Sequence, residues 1–336
     1  MIDSLRGTAS FAVCCCHLAG TGLLKPATNY GWLGVYVFFV VSGFIIPYSL
    51  FRAGYTPTAY PKFLLKRVAR LDPPYIISII LAVALHFISY QFRQFSGPPP
   101  SYSWKQILLH FGYLNSFFGG NWVIIVFWTL GIEFQYYVVM GLIYPLVVSR
   151  RRWTALVLLT LCALSVGRYD FPLHVQADQG GLVGHYAFVF VLGVLVFRYK
   201  VGLVRKGPFL LQTFLAVTGV AASCGLLIAI ASLATSLAIA FLNFRSQVLE
   251  WLGAISYSLY LVHIPIGERV LGLGNRLFND SYGRYGVAVA AVATSLAAAQ
   301  VMYLSVELPS KRIASLIMYR HRQSRAKEPL LAEASS

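Results

Sequence analysis

Ionisable residues inside long apolar stretches are the first candidates for chemistry, because charge in a membrane interior is costly and persists where it has a partner or a task. Five such residues stand out: Arg6, His17, Glu133, His263 and Glu307. Arg6 and His17 are eleven positions apart, and eleven steps of about 100° bring a helix back to within about 20° of its start. Both side chains are therefore predicted on one face of a helix, about 16 Å apart along its axis.

This spacing suggests a division of labour along one helix. A guanidinium near the membrane surface suits an anionic phosphate, and an imidazole deeper in the helix suits general-base catalysis near neutral pH. Glu133 and His263 are predicted at the depth of His17, so the three are expected to form a polar cavity in which the carboxylate holds the tautomer of the imidazole. A snorkelling Arg6, a structural ion pair for Glu133 and structural roles for the two histidines are the alternatives.

Three other segments carry weaker signals. Arg67 and Arg70 precede Pro73 and Pro74, which predict the start of a helix, so this basic segment binds the phosphates of a cytosolic cofactor or only fixes the membrane topology. The small pair at 42–43, between bulky residues, predicts close helix packing. Glu307, near the end of the last apolar stretch, is read as a residue of an ion-paired helix terminus.

The composition defines the elements that must position these residues. Of the 336 residues, 58% are hydrophobic and 11% are charged, whereas soluble domains carry about 25% charged residues. The chain is therefore predicted to be an all-α, polytopic integral membrane protein with about ten transmembrane helices. The predicted spans are 3–24, 31–51, 73–92, 122–148, 153–169, 182–199, 208–226, 227–244, 247–270 and 285–308. The seventh and eighth need a tight turn near 223–225, and the segment 93–121 contains an apolar stretch at 107–118 that is too short to span and is read as interfacial or re-entrant.

The net charge of +16 comes from short basic clusters between apolar runs. That distribution is typical of cytoplasmic loops rather than of a nucleic-acid groove, and it predicts that both termini are cytoplasmic. Residues 1–310 are expected to form the membrane domain, and residues 311–336 a basic, disordered cytoplasmic tail. The five cysteines show no spacing suited to a metal site or a haem.

Several motifs together resemble one known family. Residues 3–7, with ten residues between Arg6 and His17, are similar to the R-x10-H opening of the membrane-bound acyltransferase 3 family. The match continues in order through 34–44, through Arg67 and Arg70 with 73–75, through 128–137, and through 255–263. The family often has an acidic residue where this chain has Tyr36. Some members carry a C-terminal SGNH-type domain, which is not expected here.

The resemblance implies a bacterial inner-membrane enzyme of polysaccharide biosynthesis. It would transfer an acyl group, usually acetyl from acetyl-CoA, to a hydroxyl of a carbohydrate or glycolipid. Arg6 and His17 correspond to the arginine and histidine considered essential in the family, and Trp128 and Glu133 correspond to its tryptophan-to-glutamate motif. No permanently bound cofactor is expected; acyl-CoA is a substrate.

The expected mechanism assigns a role to each polar residue. Arg6, Arg67 and Arg70 hold the phosphates of CoA, and His17 deprotonates the acceptor hydroxyl or carries the acyl group itself. Glu133 orients or charge-balances His17.

Four residues are expected to support this chemistry: Trp128, Ser256, Tyr257 and His263. Ser256 or Tyr257 donates a hydrogen bond to the developing oxyanion, and His263 lies nearby. A function of another class stays open: a proton-coupled transporter or flippase for a lipid-linked sugar would use the same charged residues as its path.

Overall fold

The computed structural model describes residues 1–19, 25–92, 97–166, 181–244, 246–278 and 280–319, and these residues form helices and turns with no strand among them. The predicted all-α class is confirmed. The helices are α1 (Ile2–Leu18), α2 (Lys25–Thr28), α3 (Gly34–Arg52), α4 (Tyr60–Tyr90), α5 (Trp104–His110), α6 (Asn115–Phe118), α7 (Trp128–Val147), α8 (Thr154–Val166), α9 (Ala187–Lys200), α10 (Lys206–Cys224), α11 (Leu226–Phe241), α12 (Gln247–Ala254), α13 (Ser256–Leu277), α14 (Ser281–Met302) and α15 (Leu308–Ser315).

Many of these helices have the length and composition of membrane spans. Six helical segments of the described chain are long and apolar enough to cross a bilayer: Gly31–Arg52, Pro57–Tyr90, Ile125–Val147, Val183–Lys200, Lys206–Cys224 and Ser281–Ser315. The shorter helices α8 and α11 are also apolar. The chain is therefore a multi-pass membrane protein, while the count of ten spans stays a prediction. The predicted turn between spans seven and eight is confirmed, because Gly225 separates α10 from α11 with a φ of 97°.

Three predicted boundaries are wrong. Helix α1 ends at Leu18, before the glycines at 20 and 22, so His17 lies in the last turn rather than well inside a span. Helix α4 begins at Tyr60 and continues through Pro73 and Pro74, so Arg67 and Arg70 project from a helix and not from a loop. The ninth predicted span divides at Ile255 into α12 and α13.

The segment between α4 and α7 contains only the short helices α5 and α6. The buried His110 joins two parts of this segment through hydrogen bonds. Its Nδ1 lies 2.8 Å from the carbonyl oxygen of Gln106, and its Nε2 accepts from the backbone N–H of Val123 at 3.1 Å. Burial lowers the pKa of His110, which favours this neutral, hydrogen-bonded form.

The region predicted as a tail begins inside a helix. Lys311 belongs to α15, which packs against α4. Residues 320–336 lie outside the described residues, so the disorder expected there stays a prediction.

Helices α1 and α12 cross with their backbones in direct contact, because glycine leaves no side chain between them. A Cβ added to Gly7 would lie 2.5 Å from the carbonyl oxygen of Leu249, and one added to Gly253 would lie 2.1 Å from the carbonyl oxygen of Asp3. Only glycine permits this approach of the two backbones. The crossing fixes the depth and rotation of α1 at the turn that carries Arg6.

A second crossing of this kind joins α3 to α9, as the small pair at 42–43 predicts. A Cβ on Gly43 would lie 2.2 Å from the carbonyl oxygen of Phe190, and one on Gly193 would lie 2.1 Å from that of Val40. The neighbouring Ser42 is thereby turned away from α9.

The α3–α9 crossing can be tested by adding a single methyl group. Gly193→Ala should lower the free energy of unfolding by about 1–3 kcal/mol, because the methyl group meets backbone atoms that cannot yield without separating the helices. Thermal unfolding of the detergent-solubilised protein measures the change. Gly272→Ala is the matched control, since a Cβ there meets nothing within 4 Å, and it should leave the melting temperature unchanged or raise it. Equal effects of the two substitutions would contradict the crossing.

Candidate functional site

A cavity of about 330 Å³ lies where α1, α3, α4, α7 and α13 meet the π-helical turn Tyr303–Glu307. Charged residues from four of these elements line it: Asp3, Arg6, Arg67, Arg70, Glu133 and Glu307. The rest of its wall is apolar or hydroxyl-bearing and comes mainly from α3, α7 and α13. Residues that lie far apart in the sequence therefore converge on one site.

Two guanidinium groups in this cavity lack an anionic partner. Arg67 is buried and lies over the rings of Phe63 and Tyr137, at 5.4 and 5.5 Å from their centroids. Within the described chain, neither Arg67 nor Arg70 forms an ion pair or donates a hydrogen bond, and the Nε of each is buried without a partner. Buried charges are normally paired, so these donors are available to an anion that enters the cavity.

Arg6 lies at the same charged end of the cavity. Its Nη1 is 4.0 Å from Oδ1 of Asp3, one turn earlier on α1. The Asp3 side chain is 64% exposed against 23% for Arg6, so water screens this contact and it contributes little. Arg6 therefore has no close, water-excluded ion pair within the described chain.

Glu133 belongs to the arginine end and not to the histidines. Its Oε1 accepts hydrogen bonds from the hydroxyls of Ser42, at 2.6 Å, and Tyr137, at 2.5 Å. The Tyr137 ring in turn lies against the guanidinium of Arg67. Within the described chain no hydrogen bond or ion pair joins Glu133 to His17, so the expected contact between carboxylate and imidazole is wrong.

The carboxylate of Glu307 forms part of the cavity wall. Its Oε2 accepts from the backbone N–H and the hydroxyl of Ser258, at 3.2 and 2.6 Å, and its Oε1 lies 2.7 Å from Nζ of Lys311. The predicted ion pair is present, but the prediction of a helix terminus is wrong, because α15 follows Glu307 directly and continues to Ser315, and the carboxylate lines the cavity instead. The π-helical turn makes this placement possible, and such turns are frequent at functional sites.

His17 and His263 form a pair beyond the other end of the cavity. Their ring centroids are 5.4 Å apart, with an angle of 50° between the planes. His17 is exposed, whereas His263 is 1% exposed. The predicted proximity of these two residues is present in the structure, although neither is among the described residues that line the cavity.

Tyr260 connects the cavity to the histidine pair. It lines the cavity, and its ring centroid lies 5.8 Å from that of His263. Its hydroxyl is held by Oγ1 of Thr129 at 2.6 Å and donates to the carbonyl oxygen of Val126 at 3.0 Å. One aromatic ring therefore separates the end of the cavity from the two imidazoles.

The remaining predicted site residues, Ser256, Tyr257 and Trp128, make contacts that stabilise the helix packing. The hydroxyls of Ser256 and Tyr257 line the cavity but donate to the carbonyl oxygens of Gly253 and Leu71, at 2.8 and 2.9 Å. Trp128 packs against Phe39 and Tyr186. Neither hydroxyl offers a free proton to an oxyanion in this arrangement.

Sequence reasoning missed Ser42, Tyr137 and Tyr260 as site residues. Tyr137 is four residues after Glu133 and therefore on the same helical face, which is a signal that was available in the sequence. Ser42 and Tyr260 depend on contacts between distant helices and left no such signal. Tyr36, where the family often has an acid, instead packs against other aromatic rings, among them Tyr186 at 6.2 Å.

Comparison with known proteins identifies the family of the chain. A family model described as an acyltransferase domain, of the acyltransferase 3 type, matches residues 1–304. The chain is 27% identical over 366 aligned positions to "Acyltransferase MdmB" of Streptomyces mycarofaciens, covering 93% of this chain and 91% of that protein. It is also 35% identical over 89 positions to "Protein 2 in picA locus" of Rhizobium radiobacter, covering 26% of this chain and 45% of that protein. No solved structure matches the chain significantly.

The Glu307–Lys311 pair predicts an asymmetric response to substitution. Lys311→Met should reduce the free energy of unfolding more than Glu307→Gln, because it leaves a carboxylate that is 2% exposed, whereas the lysine left by the second change is 25% exposed. The loss for Lys311→Met should be about 3 kcal/mol, and the double variant should recover part of it.

Denaturant titration in detergent measures these changes. Ser305→Ala, on the same turn but exposed, is the control and should have little effect. A larger loss for Glu307→Gln than for Lys311→Met would overturn this account of the pair.

Proposed function

The chain belongs to the acyltransferase 3 family, and from that premise we propose that it transfers an acyl group, most simply acetyl, from acyl-CoA to a hydroxyl of a carbohydrate or glycolipid acceptor. The observation that carries this proposal is the cavity in which the buried Arg67 and the half-buried Arg70 form no ion pair within the described chain. The phosphates of CoA supply the missing anionic partner, because guanidinium groups bind phosphate through paired hydrogen bonds.

The shape of the cavity suits the rest of the donor. The phosphates lie at the end formed by Arg6, Arg67 and Arg70, and the pantetheine arm follows the apolar wall towards Tyr260. Arg6 and His17 are about 16 Å apart along α1, a separation of the order of the pantetheine arm. The thioester then lies beside Tyr260, whose ring contacts His263 of the histidine pair.

The proposed reaction is a direct transfer with His17 as the base. His17 takes the proton of the acceptor hydroxyl while that oxygen attacks the thioester carbonyl. The tetrahedral intermediate collapses with loss of the CoA thiolate, which receives the proton from His17. The variant in which His17 first carries the acyl group gives the same products. His17 is exposed at the end of α1, so an acceptor in a bacterial inner membrane reaches it without passing the arginine end.

Glu133 has a different role from the one expected from the sequence. Its hydrogen bonds to Ser42 and Tyr137 keep it at the arginine end. There it places Tyr137 against Arg67 and limits the positive charge when the donor is absent. It therefore acts on donor binding rather than on the base.

Two acyl donors, one with phosphates and one without, distinguish the role of the arginines from that of His17. Arg67→Met should raise the KM for acetyl-CoA about tenfold or more, because a charge-assisted hydrogen bond is lost, and should leave the reaction of N-acetylcysteamine thioacetate unchanged, because that donor has no phosphate. His17→Ala should reduce kcat with both donors by about 10²-fold or more. Release of the free thiol by the purified protein, with a glycan acceptor, measures both.

Arg151→Met is the control, because this exposed arginine lies over Trp153, outside the cavity. Equal losses with both donors for Arg67→Met would contradict the phosphate role. Absence of thiol release from the wild-type protein would favour the transporter or flippase alternative.

A further inference from the structure

We infer that His263 is the positioning residue of His17: its Nε2 is a fixed acceptor that receives the N–H of His17 and leaves the other nitrogen of His17 to act as the base. This inference rests on the proposed function, since it assigns the partner of the base in that reaction. His263 thereby takes the role of partner to His17 that was expected of Glu133, which the structure holds at the arginine end of the cavity.

The tautomer of His263 follows from its hydrogen-bond partners. Nδ1 lies 3.1 Å from the carbonyl oxygen of Leu259 and 2.9 Å from that of Tyr260. Carbonyl oxygens only accept, so Nδ1 carries the proton. In the neutral ring Nε2 then has a lone pair and no proton.

This lone pair is buried without a partner. His263 is 1% exposed, and its Nε2 has no hydrogen bond within the described structure. A buried acceptor left unpaired costs free energy, so the site is incomplete as it stands. Because Nδ1 donates to carbonyl oxygens of its own helix, Nε2 on the opposite side of the ring is directed away from α13.

The ring next to this acceptor is His17, at 5.4 Å between centroids. Among the described ionisable residues, His17 is the group that acts electrostatically on His263; α4, α12 and α14, which also pack near α13, contribute none. The proposed contact is a hydrogen bond from an N–H of the exposed His17 ring to Nε2. The expected hydrogen bond forms when the acceptor substrate excludes water from His17.

The pairing fits the proton balance of the proposed reaction. Neutral His17 has one N–H and one lone pair, and donation to His263 leaves the lone pair facing the acceptor hydroxyl. When His17 takes the hydroxyl proton, His263 stabilises the resulting imidazolium, as the carboxylate does in hydrolytic triads. His263 keeps its own proton throughout. A neutral partner avoids placing a further buried charge in the membrane.

A volume-matched pair of substitutions tests this role. His263→Leu fills the space but has no acceptor, whereas His263→Gln retains an amide N–H for the backbone carbonyls and a carbonyl oxygen for His17. The leucine variant should lose about 10²-fold in kcat, with the KM for acetyl-CoA within about twofold of the wild-type value. The acidic limb of its pH–rate profile should move to lower pH, because the imidazolium of His17 is less stabilised. The glutamine variant should recover at least tenfold of the lost kcat.

Val262→Ala controls for packing, because it removes buried volume on the same helix without touching either histidine's hydrogen bonds. It should change the melting temperature but not the pH–rate profile. Equal kcat values for the leucine and glutamine variants, or an unshifted profile for the leucine variant, would overturn the inference. Failure of the wild-type protein to release CoA thiol would instead overturn the proposed function on which it rests.

Discussion

The presence of two guanidiniums without an ion-paired anion in one cavity is the constraint on which the rest of the site depends. Arg67 and Arg70 lie on α4, a helix long and apolar enough to cross a bilayer, and within the described chain no carboxylate lies within 4.0 Å of either. The aromatic faces of Phe63 and Tyr137 offset part of the cost for Arg67. In the proposed function, the phosphates of the donor offset the remainder when they bind.

The packing of the helices holds these charged groups at fixed positions. Glycine crossings at Gly7–Gly253 and Gly43–Gly193 bring backbones together without side chains between them, which gives the rigidity that association in lipid requires. The first crossing fixes Arg6, and the second turns Ser42 towards Glu133. The site is thus positioned by backbone contacts at the residues next to Arg6 and Ser42.

Periodicity and composition predict what lies on one helix, and little more. The shared face of Arg6 and His17 and the helical class follow from the sequence, because both depend on local geometry. The pairing of Glu133 with His17 was wrong because equal depth in the membrane leaves the rotation of each helix undetermined. Pro73 and Pro74 suggested a helix start, yet α4 passes through them, because packing against neighbouring helices outweighs the lost hydrogen bonds. The role of Tyr260 depends on contacts with Thr129 and His263 that no local pattern encodes.

The role of Arg67 and Arg70 is best tested by a structure of the protein with CoA bound. Phosphate oxygens should lie about 2.7–3.2 Å from guanidinium nitrogens of Arg67 and Arg70, with the sulfur of CoA at the Tyr260 end of the cavity. Phosphates bound at another surface, with both guanidiniums still unpaired, would contradict that role.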